Sequence, residues 1–129
     1  MFTIAQIKEA HSKVKSGADF PKFIAEIKQL GVTYYEAFVS DGHIDYYGAN
    51  DYKTSAPAKY EPIAVAPTSD KVQFETDLRA HQLGKTDYPQ FCLDCAHAGV
   101  EKWAVCFEAM TCTYFDSKGT IILVEEIPA

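Results

Sequence analysis

The chain is short of basic charge, and what it has is not clustered. Twelve Lys and Arg stand against 18 Asp and Glu, a formal net charge of −6. Binding to a phosphate backbone relies on concentrated Lys and Arg, so this balance argues against a nucleic-acid partner. The two mildly basic stretches, residues 8–15 and 53–59, are diluted by their neighbours, and the excess of acid reads as a source of solubility. Long apolar runs are missing too. No stretch approaches the roughly 20 apolar residues of a membrane helix, so no membrane partner is expected. The opening residues MFTIAQIKEAHSK have no basic leader followed by an apolar run, which predicts no secretory signal and a cytoplasmic, reducing setting. The four cysteines are then expected as free thiols. Catalytic signatures are equally scarce: there is no phosphate-cradling glycine loop, no nucleophile elbow and no HExxH.

What the chain does have is a repeat. Residues 19–48 align on residues 87–116 at a constant offset of 68 without a gap. Asp19 meets Asp87, Pro21 meets Pro89, Phe23 meets Phe91, Gly31 meets Gly99 and Tyr46 meets Tyr114. Upstream, Ala10-His11 recurs as Ala80-His81, two residues out of phase. A repeat constrains the architecture before any local reading is made.

Local signals divide each half into the same elements. Thr3 and Gln6 form a capping box for a helix over 3–15, which Ser16-Gly17 breaks. Asp19 is an expected N-cap, Pro21 sits in the first turn, and Gly31 is a left-handed stop. A strand over 32–39 leads through the Asp41-Gly42 turn into residues 43–47. A loop over 48–59 and a third strand near 60–66 are expected next. The second half predicts helices over 70–82 and from Asp87 to Gly99, then strands near 102–107, 111–115 and 120–126. The reading is one α+β domain over 1–129, with two-layer architecture and helix–helix–three-strand halves at about 1–67 and 68–129. The successive apolar residues Ile121, Ile122, Leu123 and Val124 predict a strand covered on both faces, by helices, by the other half or by a homodimer partner.

The run from His81 to Tyr88, with Phe91, Ala98-Gly99-Val100, Lys102-Trp103, Met110-Thr111-Cys112, Tyr114-Phe115-Asp116, Gly119 and Glu126-Ile127-Pro128, resembles the YdfO-like family of bacterial and prophage proteins. Gly31-Val32, Tyr35, Asp41-Gly42 and Tyr46-Tyr47-Gly48 of the first half are similar as well. The resemblance implies a two-layer α+β fold and neither an activity nor a cofactor. It also implies an acidic residue near the end of the strand after Trp103, where this chain has Cys106.

Several groupings could carry chemistry. Cys92 and Cys95 have CxxC spacing, with His97, Cys106 and Cys112 available to complete a zinc site. Yet at offset 68 every cysteine meets a hydrophobe: Ile24, Ile27, Phe38 and Ile44. Core packing is therefore expected, and no metal. His81, Asp87 and Tyr88, with Lys85 close by, could form an acid–base site across the Gly84 turn. The simpler reading makes His81 and His11 helix-end histidines and makes Asp19 and Asp87 caps. Tyr35, Tyr47, Asn50, Tyr52 and Tyr60 lie on the tyrosine-rich strands and in the 48–59 insertion, where a binding surface for a protein or small molecule is expected. The leading expectation is a cytoplasmic, non-enzymatic accessory protein that binds a ligand or partner without a cofactor. The alternative is a small enzyme using His81, Asp87 and Tyr88.

Overall fold

A computed structural model describes residues 2–14 and 19–127. Among these residues, four helices and six strands follow in the order α1 (Ile4–His11), α2 (Phe20–Leu30), β1 (Val32–Phe38), β2 (Ile44–Gly48), β3 (Lys53–Ala56), α3 (Lys71–Gln82), α4 (Tyr88–His97), β4 (Lys102–Cys106), β5 (Thr111–Phe115) and β6 (Ile121–Glu126). The strands form one antiparallel sheet in the order β3-β2-β1-β4-β5-β6. Each half thus supplies two helices and three strands to an α+β fold.

The helix ends follow mostly from local chemistry. Thr3 Oγ1 accepts from Gln6 N at 3.2 Å while Gln6 Oε1 accepts from Thr3 N at 2.8 Å, the reciprocal pair expected. The helix is shorter than 3–15, and the Ser16-Gly17 breaker lies outside the described residues. Asp87 caps α4 by accepting from Gln90 N at 2.9 Å. Asp19 does not cap α2 with its side chain, contrary to expectation. Its backbone is already helical (φ −86°, ψ −6°), whereas Asp87 is extended (φ −85°, ψ 175°), the conformation that brings a cap oxygen over the free N–H groups. Gly31 (φ 110°) and Gly99 (φ 81°) both take the left-handed region after their helices. A Cβ on Gly99 would also lie 2.6 Å from Thr68 O, so a side chain is excluded there twice over.

The sheet carries the repeat in its registers. At its middle, Glu36 of β1 faces Ala104 of β4, its own equivalent 68 residues on. The same offset carries the pair Tyr35–Val105 onto Trp103–Ala37. Likewise Tyr35–Tyr46 between β1 and β2 maps onto Trp103–Tyr114 between β4 and β5. The correspondence ends at β6. Tyr47–Lys53 still maps onto Phe115–Ile121, but a bulge between Tyr114 and Phe115 then shifts the ladder by one residue. A one-residue slip sends side chains to the opposite face. Ala56 is therefore buried opposite Ile44, while its equivalent Val124 lies opposite Thr113 and is 51 % exposed.

This corrects the expectation that the other half or a helix covers both faces of the last strand: Ile121 is 57 % exposed as well, and only Ile122 is buried. The third strand of the first half is also displaced from the expected place. It is Lys53–Ala56, within the stretch read as a loop, and residues 60–66 are irregular. Pro57, Pro62 and Pro67 remove ladder donors from that segment. Its backbone is tied instead to turns and helix ends, through Lys59 N to Asp41 O (2.8 Å), Ile63 N to Ser40 O (2.7 Å) and Ala66 N to Ala96 O (2.9 Å).

All four helices pack on one side of the sheet. Ile7, Phe23, Ile24, Ile27, Phe74, Leu78, Phe91, Cys92 and Cys95 meet Tyr35, Ala37, Tyr46, Trp103, Val105 and Tyr114 in one core. Each fully buried large apolar side chain contributes roughly 1.5–3 kcal/mol. Cys92, Cys95 and Cys112 belong to this core, and burial pushes the Cys112 thiol up to about 12. Cys106 does not: it is half-buried on the opposite face, as is its equivalent Phe38. Among the described residues, no group of three or more His, Cys, Asp or Glu side chains converges as a metal site would require. None of the described helices is long and apolar enough to cross a membrane.

Candidate binding face

Strand alternation leaves the second side of the sheet without helices. On β1, Val32, Tyr35 and Ala37 are buried while Tyr34, Glu36 and Phe38 are only partly so. Tyr47, Lys102 and Phe115 lie on the same open side, by their pairing with Tyr34, Phe38 and Lys102 respectively.

The middle of this face is an ion pair set among aromatic rings. Lys102 Nζ donates to Glu36 Oε2 at 2.6 Å and stands 5.7 Å and 5.3 Å from the ring centres of Phe38 and Phe115. Phe38 stacks on His43 at 4.3 Å with 7° between the planes. His43 is held in turn by Asp41, which accepts from its backbone N at 3.0 Å and lies 2.6 Å from Nδ1. Those two contacts, the backbone one first, hold the Asp41 carboxyl below its usual range. Tyr34 and Tyr47 form a cross-strand ring pair at 5.6 Å. Partial burial, with the Glu36 charge added, pushes Tyr34 up to about 12, so its hydroxyl stays a donor. Toward β3 the face becomes polar: Lys53 Nζ lies 5.5 Å from the Tyr47 ring centre and 4.0 Å from Asp45 Oδ2, and Ser55 donates to Asp45 at 2.7 Å. Toward β6 it becomes apolar through Ile121 and Val124.

The five residues expected at a binding surface are scattered. Tyr47 is on the open face. Tyr35 is 4 % exposed and packs in the core on Tyr46 and Phe107. Asn50 is exposed in the β2–β3 turn, with φ 58°. Tyr52 donates to Phe2 O at 2.7 Å and meets the Phe2 ring edge-on, which ties down the amino-terminal segment. Tyr60 donates to Val39 O, and its ring lies 2.7 Å from where a Cβ on Gly42 would sit. Glu36, Phe38, Lys102 and Phe115, which share this face with Tyr34, were not singled out in the sequence. Their signal was the phase of the alternation, since each occupies a strand position opposite in parity to a buried neighbour.

His81, Asp87 and Tyr88 lie close in sequence and point to different tasks. His81 stacks on Phe91 at 4.3 Å, and its Nδ1 lies 3.1 Å from Thr86 O and 3.2 Å from Thr86 Oγ1. Burial lowers its pKa despite the Thr86 contact. Asp87 caps its own helix, and Lys85 is exposed. Tyr88 turns beneath the helices toward Trp103, and burial, followed by Cys92, raises its pKa well above the usual value.

Residues 8–126 match the family described as "Protein of unknown function (DUF1398)". Two uncharacterised proteins of Mycobacterium tuberculosis, MT2067 and Rv2012, and one of Mycobacterium bovis, Mb2035, are each 40% identical over 53 residues, 41% of this chain. That match spans about a third (32%) of each relative's length. The family match takes in all of α2, α3, α4 and the sheet, and the chain therefore belongs to the DUF1398 family.

Proposed function

We propose that this chain is a non-enzymatic, cytoplasmic accessory protein of the YdfO-like, bacterial or prophage kind, and that it binds a protein partner through the helix-free face of its sheet. The observation that carries this reading is the sorting of Tyr34, Phe38, Tyr47 and Phe115 onto one open side around the Glu36–Lys102 pair. Large rings on rigid strands offer contact area at low entropic cost, and a charged group within them gives orientation. The helix side is occupied by the core. One groove of about 400 Å³ lies between α1 and α2, away from this face. The capping role of Asp87 and the inward turn of Tyr88 favour binding over acid–base chemistry. Three buried free thiols suit a reducing compartment.

The test is capture of partners from a lysate of the native host, followed by affinity measurement with each purified candidate. Phe38→Ser/Phe115→Ser should weaken a true partner at least about tenfold, as expected for loss of aromatic anchors, while His81→Ala leaves it unchanged. Equal binding by the face variant, or failure of every purified candidate to bind, removes the reading.

A further inference from the structure

On the helix side, His11 of α1 and Lys59 of the 57–66 segment meet at one aromatic ring, and the Lys8 charge on α1 acts on Lys59. The His11 ring, at the end of α1, lies 6.2 Å from the Tyr88 ring, and Lys59 Nζ stands 5.6 Å from the same ring centre. Lys8 is one turn before His11 on α1. Among the described residues, none of the three makes an ion pair or hydrogen bond to a carboxylate through its side chain. The floor beneath them is closed: Tyr88 lies against Cys92, which is 2 % exposed, and Tyr60 is tied to Val39 O.

We propose that Lys8, His11 and Lys59 form a binding site for a phosphoryl oxyanion between α1 and the 57–66 segment. The electrostatics agree. Burial lowers the pKa of both His11 and Lys59, with the Lys59 charge adding to the effect on His11 and that of Lys8 on Lys59. Besides the Tyr88 ring face, the group that favours the Lys59 charge is Cys92, and burial raises the Cys92 pKa, which keeps it a neutral thiol. An anion would relieve this repulsion and favour the charged forms. The second half has no such arrangement. His81 stacks flat on Phe91 at 4.3 Å, whereas His11 meets the equivalent Phe23 edge-on at 5.3 Å, and the His81 ring lies at hydrogen-bond distance from Thr86.

The test follows the imidazole resonances of wild-type protein by NMR during titration with inorganic phosphate at fixed pH, and in a parallel arm with phosphoserine. Saturable movement of His11, with an upward shift of its pKa and a static His81, is expected by about 10 mM, ten times a Kd of about 1 mM. Lys59→Gln should weaken binding about tenfold while His81 keeps its resonance position, which shows the fold is retained. Tighter binding of phosphoserine identifies an esterified ligand, and tighter binding of phosphate a free ion. A His11 resonance unmoved by either probe, or equal affinity in Lys59→Gln, overturns the site.

Discussion

The two edges of the sheet are equivalent in the repeat and opposite in chemistry. β3, at one edge, reads Lys-Thr-Ser-Ala, keeps the ladder register of the repeat, and buries Ala56. β6, at the other, reads Ile-Ile-Leu-Val-Glu-Glu, slips by one residue at its bulge, and exposes Val124. One shift in register therefore turns a core position into a surface one and makes the open face graded, polar beside Tyr47 and apolar beside Phe115. The two histidines differ in the same way. His11 meets Phe23 edge-on and His81 stacks on the equivalent Phe91, and among the described residues only the His81 ring has a hydrogen-bonding neighbour, Thr86. Strand pairing recurs because the fold requires it, while ring geometry and polar surroundings vary from one half to the other.

The largest expected break in this comparison is in the core. Ile24 and Cys92 are equivalent and buried at 0 % and 2 %. Ile24→Ala should cost about 2–5 kcal/mol in chemical denaturation and Cys92→Ala about 1 kcal/mol, because fewer buried atoms are removed. Equal losses would show that the two sites do not share one environment. A smaller effect concerns pH. Burial lowers the folded-state pKa of both His11 and His81 from the ordinary 6.5. The unfolded chain then binds more protons than the folded one just below pH 6.5, so stability is complete above that pH and declines as pH falls through the folded-state values. Melting measured from pH 7.5 down to about 5 should decline less in a His11→Gln/His81→Gln variant than in wild type, and parallel curves would remove the assignment.

Much of the fold was legible in the chain. The offset of 68 foretold equivalent elements: α2 and α4 start at Phe20 and Tyr88, and the strand registers repeat as far as Phe115. β3 was not legible, because an edge strand with one buried residue lacks the apolar alternation that marks a strand. The absence of an Asp19 cap was also hidden, since capping depends on backbone dihedrals and not on residue type alone. The candidate face was half visible. Tyr34-Tyr35 and Tyr46-Tyr47 are adjacent pairs, so each puts one ring in the core and one outside, and composition cannot say which. His11 and Lys59 are far apart in sequence, and only the return of the 57–66 segment brings both to Tyr88.

Everything assigned to the open face rests on the middle ladder between β1 and β4. The most direct test is the set of cross-strand NOEs between these strands in labelled protein. The account predicts contacts that place Glu36 opposite Ala104, Tyr35 opposite Val105 and Ala37 opposite Trp103. A ladder displaced by a single residue would contradict it, because the rings assigned to the core and to the open face would change sides.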